Sequence, residues 1–261
     1  MSYRIVITGA ASGIGAATIP SLRKRGAQVV GLDVNAGGED VLVCDVRDQA
    51  SVDRAVEEAI ERLGGLDVLI NCAGIGDPQS AGEPPDEDAL RVIDVNLLGP
   101  WRVTAAALPA LRASRGRVIN VASGLAHLTL PYATAYCMSK RGLVAYSDAL
   151  RIEHGDAISV TTVYPGYIRT PIHEAAAAKG LTLEGAVPAE SLEDAVRTLT
   201  RAALDTPKRD LATTLQGEIA YAFLRVLPRS LVDFVVTRQF RRGEFNESEL
   251  ATDRRASVAN K

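Results

Sequence analysis

The chain of 261 residues has little cysteine, little histidine and almost no net charge, and it contains no long apolar run. Cys44, Cys72 and Cys137 are an odd set without metal-ligand spacing. That argues against a disulfide framework and a thiolate zinc site, and for free thiols in a reducing compartment. His127, His154 and His173 form no pair at ligand spacing, so no metal is expected. His127 follows Ser123 closely enough to reach a substrate pocket, but a loop histidine reads first as polar surface. The net charge of −3, with no basic patch interleaved with aromatics, gives no reason to expect a nucleic acid. No stretch is long and apolar enough to span a bilayer and no signal-peptide pattern opens the chain, so the expected location is cytoplasmic. There is no internal repeat and no low-complexity block.

What is present is an alternation of short β-branched runs and amphipathic stretches. The length suits one large domain with a substantial core. Tyr3 to Thr8 is apolar and rich in Ile and Val, as a buried parallel strand requires. Gly9, Ser12, Gly13, Ile14 and Gly15 follow it and open a helical stretch to about Arg25. A strand, a glycine-rich turn and a helix make a phosphate site, because glycines admit a ligand to the backbone and a helix N-terminus favours negative charge. Ala27 to Leu32 is a second strand ending at Asp33, which lies 18 residues after Gly15. A carboxylate at about that interval accepts the hydroxyls of an adenosine ribose and repels a 2′-phosphate. Residues 35 to 40 are too few for a crossover helix. Val41 to Cys44 is a strand, Gln49 to Leu63 an amphipathic helix, Leu66 to Ile70 a fourth strand, and residues 76 to 87 a polar loop. Further strands are expected at Arg117 to Ala122, Ser159 to Tyr164 and Asp210 to Thr214, with a helix at Ala189 to Leu204. The fold class is therefore α/β, a doubly wound Rossmann-type parallel sheet in a single domain over residues 1 to 242.

Tyr136 and Lys140 stand four apart and share one helix face. A phenol has a pKa near 10, and an ammonium beside it stabilises the phenolate and lowers that value. A phenol so tuned exchanges a proton with an alcohol or carbonyl near neutral pH. Ser123, at the end of an apolar strand, can bond the same substrate oxygen. Cys137 points around the helix from Tyr136 and reads as packing.

In order and spacing these motifs resemble the short-chain dehydrogenase/reductase family, over Tyr3 to about Pro171. The glycine spacing G-x-x-x-G-x-G is that family's and not the usual G-x-G-x-x-G. The resemblance implies Ser123, Tyr136, Lys140 and Asn96 as the catalytic set, with Lys140 also on the nicotinamide ribose and Asn96 holding a proton-relaying water. As a lone helical asparagine, Asn96 should otherwise bond locally or cap a kink, and Gly99-Pro100 supports a kink. It implies that Asp45 and Val46 meet the adenine, that Asn71, Ala73 and Gly74 line the ribose, and that Ile168 and Thr170 meet the carboxamide. Ser12 and Val34 occupy positions where NADP-preferring relatives carry Arg or Lys. Neither is basic, so NAD is expected over NADP. The reaction implied interconverts a secondary alcohol and a ketone. A cofactor-binding regulator without turnover would lack one of the four catalytic residues, and none is missing. A 3-oxoacyl-thioester reductase is the alternative within the family.

Toward the C-terminus the pattern departs from the family, because the Asp-Gly-Gly segment used in tetramer packing is absent. Residues 172 to 188 are Ala-rich with glycines at 180 and 185, and read as a substrate flap. Residues 215 to 242 are apolar and basic, and 222 to 242 carry five arginines against one acid, a net +4. Pro228 should break this run into two helices. Such a segment covers the core, pairs with a second subunit or lies on an anionic membrane surface. The expected partners are a small lipophilic substrate and a second copy, as a homodimer or larger homo-oligomer. Residues 243 to 261 are polar and read as a loose tail.

Overall fold

The computed structural model of the chain describes residues 2–173 and 189–241. Apart from Ile172 and His173, the expected flap lies outside the described residues, as does the expected tail. The described residues form one domain around a seven-stranded, all-parallel sheet. In chain order the strands are β1 (Arg4–Thr8), β2 (Gln28–Asp33), β3 (Val41–Val43), β4 (Val68–Asn71), β5 (Arg117–Val121), β6 (Ser159–Tyr164) and β7 (Asp210–Ala212). Their spatial order is β3-β2-β1-β4-β5-β6-β7. β1 pairs with β2 on one side and β4 on the other, so the winding reverses there. A reversal opens a crevice beyond the carboxyl ends of the strands, which is where ligands of such sheets bind.

Both sheet faces are buried, which explains why the strands are continuously apolar instead of alternating. Ile5 and Ile7 pack against Ile19 and Leu22 of α1 (Gly13–Lys24) and Leu199 of α6 (Leu192–Leu204). Val6, between them, faces the other way, toward Val52, Val56 and Ala59 of α2 (Gln49–Leu63) and Leu111 of α4 (Gly99–Ser114). α5 (Thr134–His154) adds Leu150 to that second core.

Most boundaries agree with the sequence to within a few residues, and the differences have local causes. α6 begins at Leu192 and not at Ala189, because the Ser191 hydroxyl accepts the Asp194 N–H at 3.0 Å and fixes the start. β7 ends before Thr213, and the Thr214 hydroxyl caps the next helix on Gly217 N. The stretch holding Asn96 is not one helix. α3 (Glu87–Ile93) passes through a π-helical turn at Asp94–Leu98 into α4. Pro100 has no N–H for the carbonyl four residues back, and Gly99 N bonds instead to Asp94 O, five residues back. The C-terminal run divides at Pro228 as expected, into α7 (Leu215–Val226) and α8 (Arg229–Arg241).

Candidate active site

The cleft at the reversal is lined by Gly9, Ser12, Gly13, Ile14 and Gly15 at one end. Gly74, Ser123, Tyr136 and Lys140 line it too, and the turn from Pro165 to Thr170 comes back to it beside Gly13. Its cavity volume is ≈ 170 Å³. Gly9 and Gly13 have φ of +71° and +54°, the left-handed backbone that bends the loop away from β1. Ser12 caps α1 without a side-chain bond, so the first-turn N–H groups of α1 stay directed at the cleft. Asp33 holds this loop from below: its carboxylate accepts Ala11 N at 3.0 Å and Asn35 N at 2.9 Å.

Ser123 leaves β5 and caps the following turn, accepting Leu125 N at 3.2 Å. It also hydrogen-bonds Tyr136, whose side chain rises from the first turn of α5. Lys140, one turn on and 4% exposed, donates to Val121 O at 2.9 Å. Its ammonium lies 5.7 Å from the Tyr136 ring centroid. Burial draws the Lys140 ammonium down to about 8. Burial also pushes the Tyr136 phenol up to about 12, against the weaker pull of the Ser123 hydrogen bond. The expectation that lysine lowers the phenol is therefore not met. Lys140 is buried and Tyr136 partly buried, and the ammonium is committed to a carbonyl.

This state fixes the sign of the pH dependence. The phenol is protonated through neutral pH, ready to donate to a carbonyl, and scarce as a phenolate to receive from an alcohol. Between pH 6 and 8, kcat/KM for alcohol oxidation should climb while that for carbonyl reduction stays level or falls. The same pair of profiles in Tyr136→Phe, only at reduced rate, would remove Tyr136 as the titrating group.

Several residues named from sequence do not reach the cleft wall. Asn71 is turned into the core, where its Nδ2 donates to Thr104 Oγ1 at 3.0 Å and Asn120 Oδ1 at 2.8 Å. Ala73 N is likewise bound to Thr8 Oγ1 at 3.0 Å, and of this turn Gly74 lines the cleft. Asp45 is paired with Arg47 at 2.7 Å, a bond that holds its carboxyl below the usual range. Val46 is buried against Gly99. Asn96 bonds neither locally nor as a cap. It clamps Ile75, giving Nδ2–H to its carbonyl and accepting its N–H, each at 2.9 Å, and also donates to Ser139 at 3.2 Å. A Cβ on Gly74 would stand 3.3 Å from Asn96 Oδ1 and 3.5 Å from Lys140 Nζ, so the two polar groups meet across that glycine.

His127 is buried at 9% exposure, not surface. Its ring lies 4.7 Å from Tyr164 and 5.4 Å from Tyr221, and burial, helped by Arg225, draws the imidazole down to about 4. Sequence reasoning also missed Glu190. It accepts Gly166 N at 2.7 Å, Thr214 Oγ1 at 2.9 Å and the Thr213 hydroxyl, tying the turn beside the cleft to β7 and α7. A lone glutamate before a helix carries no signal of this in sequence. Leu128, Tyr221 and Leu224 complete an apolar wall beyond Ser123.

A dinucleotide fits these residues: a glycine cradle whose Gly13 faces Thr170 across the cleft, a helix N-terminus, and the Tyr136-Lys140 wall between them.

The family described as short chain dehydrogenase matches residues 3–180. Oxidoreductase UcpA of Escherichia coli (strain K12) is 34% identical over 236 residues, 84% of this chain and 86% of its own length. A short chain dehydrogenase of Burkholderia cenocepacia J2315, solved in complex with NADP, is 25% identical with a TM-score of 0.74, over 90% of this chain and 98% of that one. The 3-ketoacyl-(acyl-carrier-protein) reductase of Brucella melitensis, complexed with NADH, is 27% identical with a TM-score of 0.69, over 80% of this chain and 95% of that one. With its sheet, its glycine turn and this match over most of its length, the chain belongs to the short-chain dehydrogenase family of oxidoreductases.

Proposed function

We propose that the protein is an NAD(H)-linked oxidoreductase that interconverts a lipophilic secondary alcohol and its ketone. The observation that carries this reading is the meeting of Ser123, Tyr136 and Lys140 on one cleft wall. The Ser123 hydroxyl holds and polarises the substrate oxygen. Tyr136 donates a proton to that oxygen in reduction and receives it in oxidation. Lys140 holds the ribose side of the cofactor and places a positive charge near the phenol. Asn96, through Ile75, keeps the Gly74 turn beside Lys140. A bound nicotinamide supplies the hydride chemistry.

The choice of NAD rests on Asp33, at the end of β2 beneath the glycine loop. Its charge repels a 2′-phosphate, and neither Ser12 nor Val34 offsets it. The wild type should therefore show higher kcat/KM with NAD(H) than with NADP(H), and Asp33→Ala should narrow or invert the ratio. Equal use of both by the wild type would show that a basic group from elsewhere reaches the site.

The substrate class rests on the apolar wall of Leu125, Leu128, Tyr221 and Leu224 beyond Ser123. Steady-state kinetics on steroids, retinoids, long-chain alcohols, acyl thioesters and sugars tests it. A sugar or short polyol with higher kcat/KM than every lipophilic substrate overturns it. A second reading, 3-oxoacyl-thioester reduction, is supported by the likeness to the Brucella melitensis reductase. It takes precedence if an acetoacetyl thioester leads the panel.

A further inference from the structure

Tyr221 belongs to α7, far along the chain from Ser123, yet its side chain lines the same cleft. Its ring packs on Ala122, Ala126 and Tyr164 and lies 5.4 Å from the His127 ring. Both ends of α7 are anchored. Thr214, which caps its start, donates to Glu190 at 2.9 Å, and Arg225 near its end pairs with Asp210 at 3.6 Å. The phenol is thus held in place by the helix that carries it and by the rings around it. Its hydroxyl lies against Gly124, the residue after Ser123. A Cβ on Gly124 would overlap that hydroxyl and stand 2.8 Å from the ring carbon that bears it, so glycine at this position is what lets the phenol approach. No described residue hydrogen-bonds the hydroxyl. The other side chains of the cleft beyond Ser123, Leu125, Leu128 and Leu224, are apolar.

We propose that the Tyr221 hydroxyl is a specificity contact, donating a hydrogen bond to a second oxygen of the substrate on the carbon next to the reacting one. The inference rests on the reading of this cleft as a carbonyl and alcohol site, in which Ser123 and Tyr136 hold the reacting oxygen. Tyr221 approaches one residue along the backbone from Ser123, and consecutive Cα atoms are about 3.8 Å apart. An oxygen within reach of its hydroxyl therefore belongs on a neighbouring carbon and not on the reacting one. A phenol oxygen both donates and accepts. Burial, helped by the Glu190 charge, pushes this phenol up to about 12, so it stays protonated and able to donate at neutral pH. A polar group in an apolar wall discriminates more sharply than the wall itself, because a substrate with no oxygen there leaves it unmatched. The substrate class is then a lipophilic ketone or alcohol with a carbonyl or hydroxyl on the adjacent carbon.

Calorimetry of the full chain with bound NAD⁺, titrated with camphorquinone or with camphor, tests it. The two probes share one rigid skeleton and differ by the carbonyl on the adjacent carbon, and neither has an alcohol for NAD⁺ to oxidise. The readout is the ratio of the two affinities. In the wild type camphorquinone should bind tighter than camphor, and Tyr221→Phe should shrink that ratio about three- to tenfold, the range for one neutral hydrogen bond. Phenylalanine keeps the ring contacts with His127 and Tyr164, so melting temperature and NADH affinity should match the wild type and show that the variant folds. An unchanged ratio, or no binding of camphorquinone by the wild type, overturns the proposal. So does equal weakening of both probes, because Tyr221 is then packing alone. Turnover with NADH is read separately: if no carbonyl compound is reduced while the ratio shrinks as expected, the oxidoreductase reading fails and the ligand contact stands.

Discussion

Tyr136→Phe is expected to lower kcat by about 10²- to 10⁴-fold, the usual contribution of a positioned general acid or base. The substitution removes one oxygen and keeps the ring, so the cavity is unchanged. Ser123 loses one partner but still accepts Leu125 N at 3.2 Å. The glycine turn, Asp33 and the Lys140–Val121 bond are untouched, so NADH should bind with wild-type affinity. Single-turnover rates with a fluorescence titration of NADH separate the two effects. Turnover within tenfold of wild type would assign the proton to another group. Loss of NADH binding along with turnover would mean that the phenol holds the cofactor and not only the proton.

Gly15→Ala is expected to be the most damaging small substitution in the cofactor half. Gly15 is buried in the first turn of α1, where the backbone is helical and would accept alanine. The obstacle is contact: a Cβ there would meet the carbonyl carbon and oxygen of Gly9, well under the 3.0 Å that real Cβ atoms respect. Backbone cannot give way as a flexible side chain can, so α1 must move off the loop. Overpacking of this kind typically costs about 1–3 kcal/mol, and it should weaken NADH by more than tenfold, since the N–H groups of this turn no longer converge. Gly26→Ala is the control. Gly26 has φ of +83° and nothing within 4 Å, so alanine there costs about 1–2 kcal/mol of backbone strain, with no change in NADH affinity. Denaturant melts and NADH titrations of the two variants should diverge in this way. A Gly15→Ala protein with wild-type affinity would show that α1 does not need its close approach to the loop.

The parts legible in sequence were those fixed by local pattern. Continuous β-branched runs gave the strands, because a sheet covered on both faces needs apolar residues on both. The amphipathic period gave α2 at Gln49–Leu63, its observed bounds. Pro228 gave the break between α7 and α8, since a residue without an N–H cannot continue a helix. Tyr136 and Lys140 share a helix face for the same local reason. What sequence left open were contacts between residues distant along the chain. Asn96 clamps Ile75, 21 residues away, and Glu190 ties Gly166 to Thr213 and Thr214. His127 is buried by Tyr221, from a helix almost a hundred residues later. None of these partners is marked by spacing.

By itself, then, the sequence determined the α/β class, the glycine turn and the helix face shared by Tyr136 and Lys140, because each follows from backbone preference or helical period within a few residues. Only the tertiary structure decided the rest. It placed the winding reversal between β1 and β4, turned Asn71 into the core and partly buried Tyr136 so that its phenol rises to about 12. It also left Phe223 of α7 and Phe234 of α8 exposed. Burial and long-range pairing are properties of the assembled packing, and an apolar residue reads the same in sequence whether the fold covers it or not.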